Sequence, residues 1–328
     1  MLERLIDQFM EYCTDKRLSI KTMKSYEQTL VIFSRYLKEE CHLSNCKEVT
    51  ESHIRDYISY LRERGKYTVT GNPSSNSTNY PDRRRDNGDT VSDVTINNYI
   101  RNIRVFFNFL EEERYIKKNP MARIKLIRTG RKPLTYLDDS DFKKLINCLD
   151  VSKFSEYRDR IIMLTLLDTG MRIGECLETL IENVDLKENN IYLPSEITKG
   201  KKGRYVFFSP QLNSQLRRWL QFQDRYKETD YLFCTNDGKS LQISNFETNM
   251  RKYAKRVNLA DVHPHVLRNN FAKRFLLNDG DIYTLSRILG HSSVTVTEKA
   301  YLDLNTNDLK QQYMKSSPLA RMGKEGVR

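Results

Sequence analysis

Four short stretches of the chain hold side chains able to act on an oxyanion. They are Thr169-Gly-Met-Arg172-Ile-Gly-Glu175, Thr198-Lys199-Gly-Lys-Lys-Gly-Arg204, His265-Val-Leu-Arg268, and Leu289-Gly-His291 followed ten residues later by Tyr301. Guanidinium groups bind phosphate or carboxylate oxygens through paired, charge-assisted hydrogen bonds. Imidazole titrates near neutrality and suits proton transfer. A phenol, with an ordinary pKa of about 10, turns nucleophilic only with help from a base or a positive field. The three-residue step from His265 to Arg268 puts both on one face of a helix. Taken singly, each stretch says little. An Arg after a Gly is common, the lysine run fits a solvated hairpin, and one Tyr among nineteen is uninformative.

The elements that must position these residues fall into two halves. Over residues 1–120 the apolar residues recur at helical spacing in four stripes. The first runs from Leu2 to Met10. The second follows Ser19, an N-cap residue. The third follows Thr50 and stops at Gly65. The fourth follows Thr95 and stops at Asn119-Pro120. A polar stretch at 66–92, with Arg83-Arg84-Arg85, reads as a long flexible loop. The second half is mixed. Tyr157–Leu167 ends in a run, Ile161–Leu167, that is apolar but for Thr165, and reads as a buried helix. Strand-like runs at Ile191–Pro194 and Tyr205–Phe208 flank the lysine-rich turn. Helical patterns follow at 210–226, 243–257, 264–278, 281–289 and 294–303, with a short one in the tail near 306–315. The fold expected is mainly α with a small antiparallel β-sheet.

Charge separates the halves further. The chain has 328 residues, 55 Lys+Arg against 43 Asp+Glu, and a net charge of +12. Residues 1–120 carry a net of +2 and residues 121–328 a net of +10. Residues 121–133 hold five basic residues and no acid, and end in Gly130 and Pro133, which reads as a basic interdomain linker. Such a surplus suits a polyanion partner. No apolar run approaches the roughly 20 residues of a membrane span, and the N-terminus lacks signal-peptide character. Cys41, His42 and Cys46 lie close together, but no CxxC pair or second ligand pair accompanies them. No metal is therefore expected, and the six cysteines read as reduced thiols.

In this order and spacing, the four stretches resemble the tyrosine recombinases, the phage integrase family. The resemblance covers nearly the whole chain. It implies an all-helical, SAM-like core-binding domain at 1–120 with an insertion at 66–92, a linker at 121–133, and a catalytic domain at 134–317 with a C-terminal tail helix. Residues 318–328 are expected to be disordered. It also implies the site: Tyr301 as nucleophile, with Arg172, Lys199, His265, Arg268 and His291 as its catalytic partners, and Glu175 as support behind Arg172. His263 also precedes Arg268, but only His265 has the family spacing. Tyr283 and Tyr313 lack the family distance from His291. Asn269 departs from the family, where His is frequent after the arginine. The basic clusters are assigned to DNA contact: Arg128, Arg131, Lys132, Lys201, Lys202 and Arg204.

The chemistry implied is transfer of a DNA 3′-phosphoryl group to tyrosine through a Holliday junction, as a tetramer on double-stranded core sites. It needs no cofactor, in keeping with the missing GxxxxGK[ST] pattern. The family closes around DNA as a clamp, and its C-terminal helix often packs into a neighbouring subunit; exchange through the tail is expected here, and accessory proteins are compatible with it. Because helical patterning begins at residue 2, the simple Xer or Cre type without an arm-binding domain is expected. The location implied is the cytoplasm, on the nucleoid. Two alternatives stay open: a type IB topoisomerase-like relaxing enzyme, which commonly has Lys where His265 stands, and an inactive DNA-binding regulator, which the intact set of six argues against.

Overall fold

The computed structural model describes residues 2–69, 80–130, 134–225 and 228–301, with Lys310, Tyr313, Met314 and Ser317 beyond them; at 299–301 it describes backbone only. Arg131, Lys132, residues 70–79 of the insertion, most of the tail pattern and residues 318–328 lie outside the described residues. The chain divides into two units, Met1–Arg131 and Lys132–Arg328. Among the described residues, no helix is long and apolar enough to cross a membrane.

The first unit is helical: α1 (Leu2–Asp15), α2 (Ile20–Glu39), α3 (Glu51–Glu63) and α4 (Asp93–Glu112). Ser19 caps α2 by accepting the Thr22 amide, and Thr50 caps α3 by accepting the His53 amide while the His53 ring answers the Thr50 N–H. Caps of this kind contribute about 1 kcal/mol each. Helix α4 starts three residues before the expected place. Its cap is Ser92, whose Oγ accepts the Thr95 amide, so Thr95 sits in the first turn. The apolar stripes meet in an aromatic core of Phe9, Phe33, Tyr57, Phe106 and Phe107, with Phe33 edge-on to both Tyr57 and Phe107.

The first half of the expected linker is not a loose connection. Met121 and Ile124 are buried in this core. The Asn97 side chain accepts from the Ile127 N–H and donates to its carbonyl, both at 2.9 Å. A buried amide with both functions paired straps the segment down, since leaving either unmade is costly. The ends of the insertion are likewise drawn together, by Lys66 N–H to Asp89 O (2.8 Å) and Gly88 N–H to Lys66 O (2.9 Å). Arg83 and Arg84 lie over the rings of Tyr80 and Tyr67, at 4.7 and 4.1 Å from their centroids.

The second unit contains α5 (Asp139–Asn147), α6 (Phe154–Thr169), α7 (Ile173–Leu177), strands β1 (Val184–Asp185), β2 (Asn190–Leu193) and β3 (Arg204–Phe207), then α8 (Pro210–Asp224), α9 (Ile243–Arg256), α10 (Pro264–Leu277), α11 (Ile282–Leu289) and α12 (Val294–Tyr301). The sheet is antiparallel in the order β1-β2-β3, with Val184 opposite Ile191, and Leu193 opposite Arg204. Both anticipated strands begin one residue earlier than expected, and the two-residue β1 gave too short a pattern to read. Ile191, Leu193 and Val206 face the core, while Tyr192, Tyr205 and Phe207 are exposed, the alternation a half-covered sheet requires. Helix α6 is buried, as its apolar run predicted, and packs against α8 and α10. It also buries Arg158 and Asp159, which pair at 2.7 Å. Asp159 further accepts from Tyr253 Oη (2.8 Å) and Asn249 Nδ2 (2.9 Å), so neither charge is left uncompensated.

Candidate active site

Helix α6 ends at Gly170, which has φ +64°. A Cβ there would lie 2.2 Å from the Phe271 ring, so both conformation and space require glycine. The turn delivers Arg172 in extended backbone as the N-cap of α7, and Glu175 three residues later. Glu175 accepts the Arg172 N–H (2.8 Å) on Oε2 and Arg172 Nη1 (2.9 Å) on Oε1. A second guanidinium, Arg204 of β3, grips the same carboxylate: Nη1 to Oε1 at 3.0 Å and Nη2 to Oε2 at 2.7 Å. Glu175 is buried. Burial pushes its pKa up, but the hydrogen bonds and charge of Arg204, followed by those of Arg172, outweigh that and hold it below the ordinary carboxylate value.

The other half of the site comes from α10 and α11. Arg268 is 5% exposed. Its Nη1 donates to Gly170 O (2.7 Å) and its Nη2 to Leu289 O (2.8 Å). Helix α11 ends in Gly290, also left-handed at φ +64°. Three successive carbonyls at this end each take a different arginine: Ile288 from Arg204 Nε (2.9 Å), Leu289 from Arg268, and Gly290 from Arg172 Nη2 (3.4 Å). The last carbonyls of a helix have no partner within it, and they carry the negative end of its dipole. Cations satisfy both demands, so the turn before His291 gathers three guanidiniums.

His291 sits between Arg268 and α12. Its Nε2 lies 3.1 Å from Arg268 Nη2, and its Nδ1 lies 2.7 Å from the hydroxyl of Thr297. Guanidinium only donates, so Nε2 is the acceptor and the proton belongs on Nδ1, facing Thr297. Loss of water around the ring, then the charges of Arg268, Arg172 and Arg204, bring its pKa down to about 4. His265, exposed in the first turn of α10, is also lowered. Loss of surrounding water is the largest cause, followed by the charges of Arg268 and His263.

A pH dependence follows from His291. Its folded pKa is below the ordinary 6.5, so the unfolded chain takes up the proton first. This contribution to stability is complete above about pH 6.5 and declines as the pH falls toward 4. Denaturant midpoints at pH 7 and 4.5 check it. His291→Asn is expected to lose less stability over that interval than the parent, and equal losses would refute the assignment.

Lys199 is exposed in the connection 194–203 between the paired ends of β2 and β3. Thr198 anchors the turn, its hydroxyl accepting the Lys202 amide at 3.1 Å. Lys201, at φ 48°, and Lys202 are exposed, as is Arg128 of the first unit. Arg204, grouped by sequence with the DNA contacts, is instead turned inward, its side chain 11% exposed and held by Glu175 and Ile288. Its place in a run of lysines and glycines gave no sign of that. Tyr301 is the last residue of α12, and its side chain lies outside the described residues. Thr297 went unread in the sequence. It is one helical turn before Tyr301, and that spacing was the only available signal. The structure thus brings together Arg172, Glu175, Arg268 and His291, and adds Arg204 and Thr297. Among the described residues, no group of His, Cys, Asp and Glu could hold a metal ion.

The phage integrase family model matches residues 135–308, and the model of the phage integrase N-terminal SAM-like domain matches residues 5–77. Tyrosine recombinase XerC of Oceanobacillus iheyensis is 28% identical over 331 residues, covering 98% of this chain and 99% of that protein. Among solved structures, XerA recombinase aligns at 26% identity with a TM-score of 0.50, over 97% of this chain and 99% of that one. The Tn1549 transposon integrase, in complex with a circular intermediate DNA, shares the fold at a TM-score of 0.72 and 15% identity, over 96% of this chain and 98% of that one.

Proposed function

The chain belongs to the phage integrase family, and from that premise we propose that it is a site-specific tyrosine recombinase that cuts and rejoins double-stranded DNA. The observation that carries this reading is the convergence of Arg172, Arg268 and His291 on the α11 terminus, with α12 leading from it to Tyr301. Arg172 and Arg268 hold the non-bridging oxygens of the scissile phosphate and offset the charge that builds in the transition state. Tyr301 Oη bonds to phosphorus as the bond to the 5′-oxygen breaks. His265 takes the phenolic proton, and Lys199 gives one to the departing 5′-oxygen. His291 hydrogen-bonds the phosphate once its proton moves to Nε2 and Arg268 Nη2 turns from the ring to the same oxygen.

The product is a 3′-phosphotyrosine and a free 5′-hydroxyl. The link conserves the phosphodiester, so the 5′-hydroxyl of another strand reverses the step without ATP, and exchange passes through a Holliday junction. Exposed Arg128, Lys201 and Lys202, with Arg131 and Lys132, contribute phosphate contacts, which make affinity steeply salt-dependent. The working form is a tetramer on two core sites, joined through the tail helix. The relatives named XerC and XerA support the recombinase reading. It is tested by denaturing the protein on DNA in EDTA without nucleotide. A covalent adduct at a DNA 3′ end is expected, and a strict need for metal or ATP would overturn the mechanism.

A further inference from the structure

We propose that Arg204 is a positioning residue for this reaction: it sets Arg172 through Glu175 against the end of α11, and it does not contact DNA. The inference rests on Arg172 acting on the scissile phosphate. Both carboxylate oxygens of Glu175 are shared between the two arginines, Oε1 by both Nη1 atoms and Oε2 by the Arg172 N–H and Arg204 Nη2. Arg172 therefore cannot shift without the carboxylate, and the carboxylate cannot shift without Arg204. The third direction of the Arg204 fork, Nε, is fixed on Ile288 O at 2.9 Å. One rigid guanidinium so ties β3, α7 and α11 together, and a lysine has no such planar fork.

Gly290 gives an independent observation. A Cβ there would lie 2.9 Å from Arg204 Cζ and Nε. The turn before His291 is thus pressed against this side chain as well as bonded to it. Arg204 also opens β3, opposite Leu193, at the base of the connection that carries Lys199. The same anchor that places Arg172 holds the root of that hairpin.

The test uses the full chain and a duplex carrying its site. Arg204→Ala is expected to slow single-turnover cleavage at saturating DNA about 100-fold, with the salt slope of DNA affinity unchanged. Lys201→Ala, by contrast, is expected to lower that slope by about 0.9. Arg204→Lys retains the charge and serves where the alanine variant folds poorly; it is expected to bind DNA normally and still cleave at least about 10-fold slowly. On a scissile methylphosphonate, one charged oxygen is replaced by a methyl group. The Arg204 defect is expected to shrink there to a few-fold, whereas a general structural defect slows both substrates alike. Glu175→Gln combined with Arg204→Ala is expected to be no slower than the slower single variant.

A loss of one phosphate contact from the salt slope, additive effects with Glu175, equal defects on both substrates, or full activity in Arg204→Lys would overturn the proposal. Arg172→Ala separates it from the reading beneath it. Normal cleavage by Arg172→Ala sinks the assignment of the site, while a dead Arg172→Ala beside a normal Arg204→Ala sinks the positioning role alone.

Discussion

Tyr301→Phe is expected to form no covalent protein–DNA adduct while binding DNA as the parent does. The substitution removes one oxygen and keeps the ring, so packing and the charge of the surface are preserved. Loss of a nucleophile removes the chemical step itself, an effect on the order of 10⁴-fold or more. Electrophoresis after denaturation reads the adduct, and a mobility shift reads binding. An adduct surviving in Tyr301→Phe would transfer the nucleophile to another residue, and Tyr283 and Tyr313, both exposed, would be the next to replace. Loss of binding together with the adduct would mean that the hydroxyl helps to hold DNA, and the nucleophile assignment would lose its support from this variant.

Arg268→Ala is the second large expectation: cleavage reduced by roughly 10³-fold with a measurable loss of stability. Two effects combine. The substitution deletes a cation proposed to meet the phosphate, and removing a single preorganised donor of this kind commonly costs about 10²–10³-fold. It also strips the carbonyls of Gly170 and Leu289 of the donor that reaches them, and an unpaired buried carbonyl costs roughly 1–3 kcal/mol. Arg268→Lys returns the charge but cannot span Gly170, Leu289 and His291 at once, so it is expected to recover part of the binding and little of the rate. Single-turnover cleavage and denaturant midpoints separate the two effects. Cleavage within about tenfold of the parent would show that Arg268 is structural only.

What could be read from the sequence follows the range over which each interaction acts. Ser19 and Thr50 were legible as caps because a cap and its amide are three residues apart. Thr95 misled because Ser92 and Thr95 can both cap, and only the geometry assigns Ser92 to that place. The buried character of α6 was plain in its composition, yet Arg158 and Asp159 could not be placed there until Tyr253 and Asn249 arrived from α9. Arg172, Arg268 and His291 were found through the family pattern, and the structure gathers them. Arg204 was read as a DNA contact because a basic run looks the same whether it faces a phosphate or a buried carboxylate. Its partner, Glu175, lies 29 residues away and is invisible to any local pattern. Asn97 and Ile127 pose the same difficulty across 30 residues, so the expected linker was drawn too long.

Many of the acceptors that hold the site's arginines are main-chain carbonyls: Gly170, Ile288, Leu289 and Gly290. A substitution can replace any side chain, but no substitution deletes a carbonyl. The side chain at 288, only half-buried, is therefore free to change without cutting these anchors, whereas Leu289 is buried beside Ala272 and Leu285 and is held to apolar residues of its size. Length is a different matter. One residue inserted within α11 rotates everything after it by about 100°, carrying all three carbonyls away from their arginines together. The site should consequently tolerate polar or apolar substitution at 288 and apolar exchange at 289 but resist any insertion or deletion there, a contrast that a mutational scan including single-residue indels would expose directly.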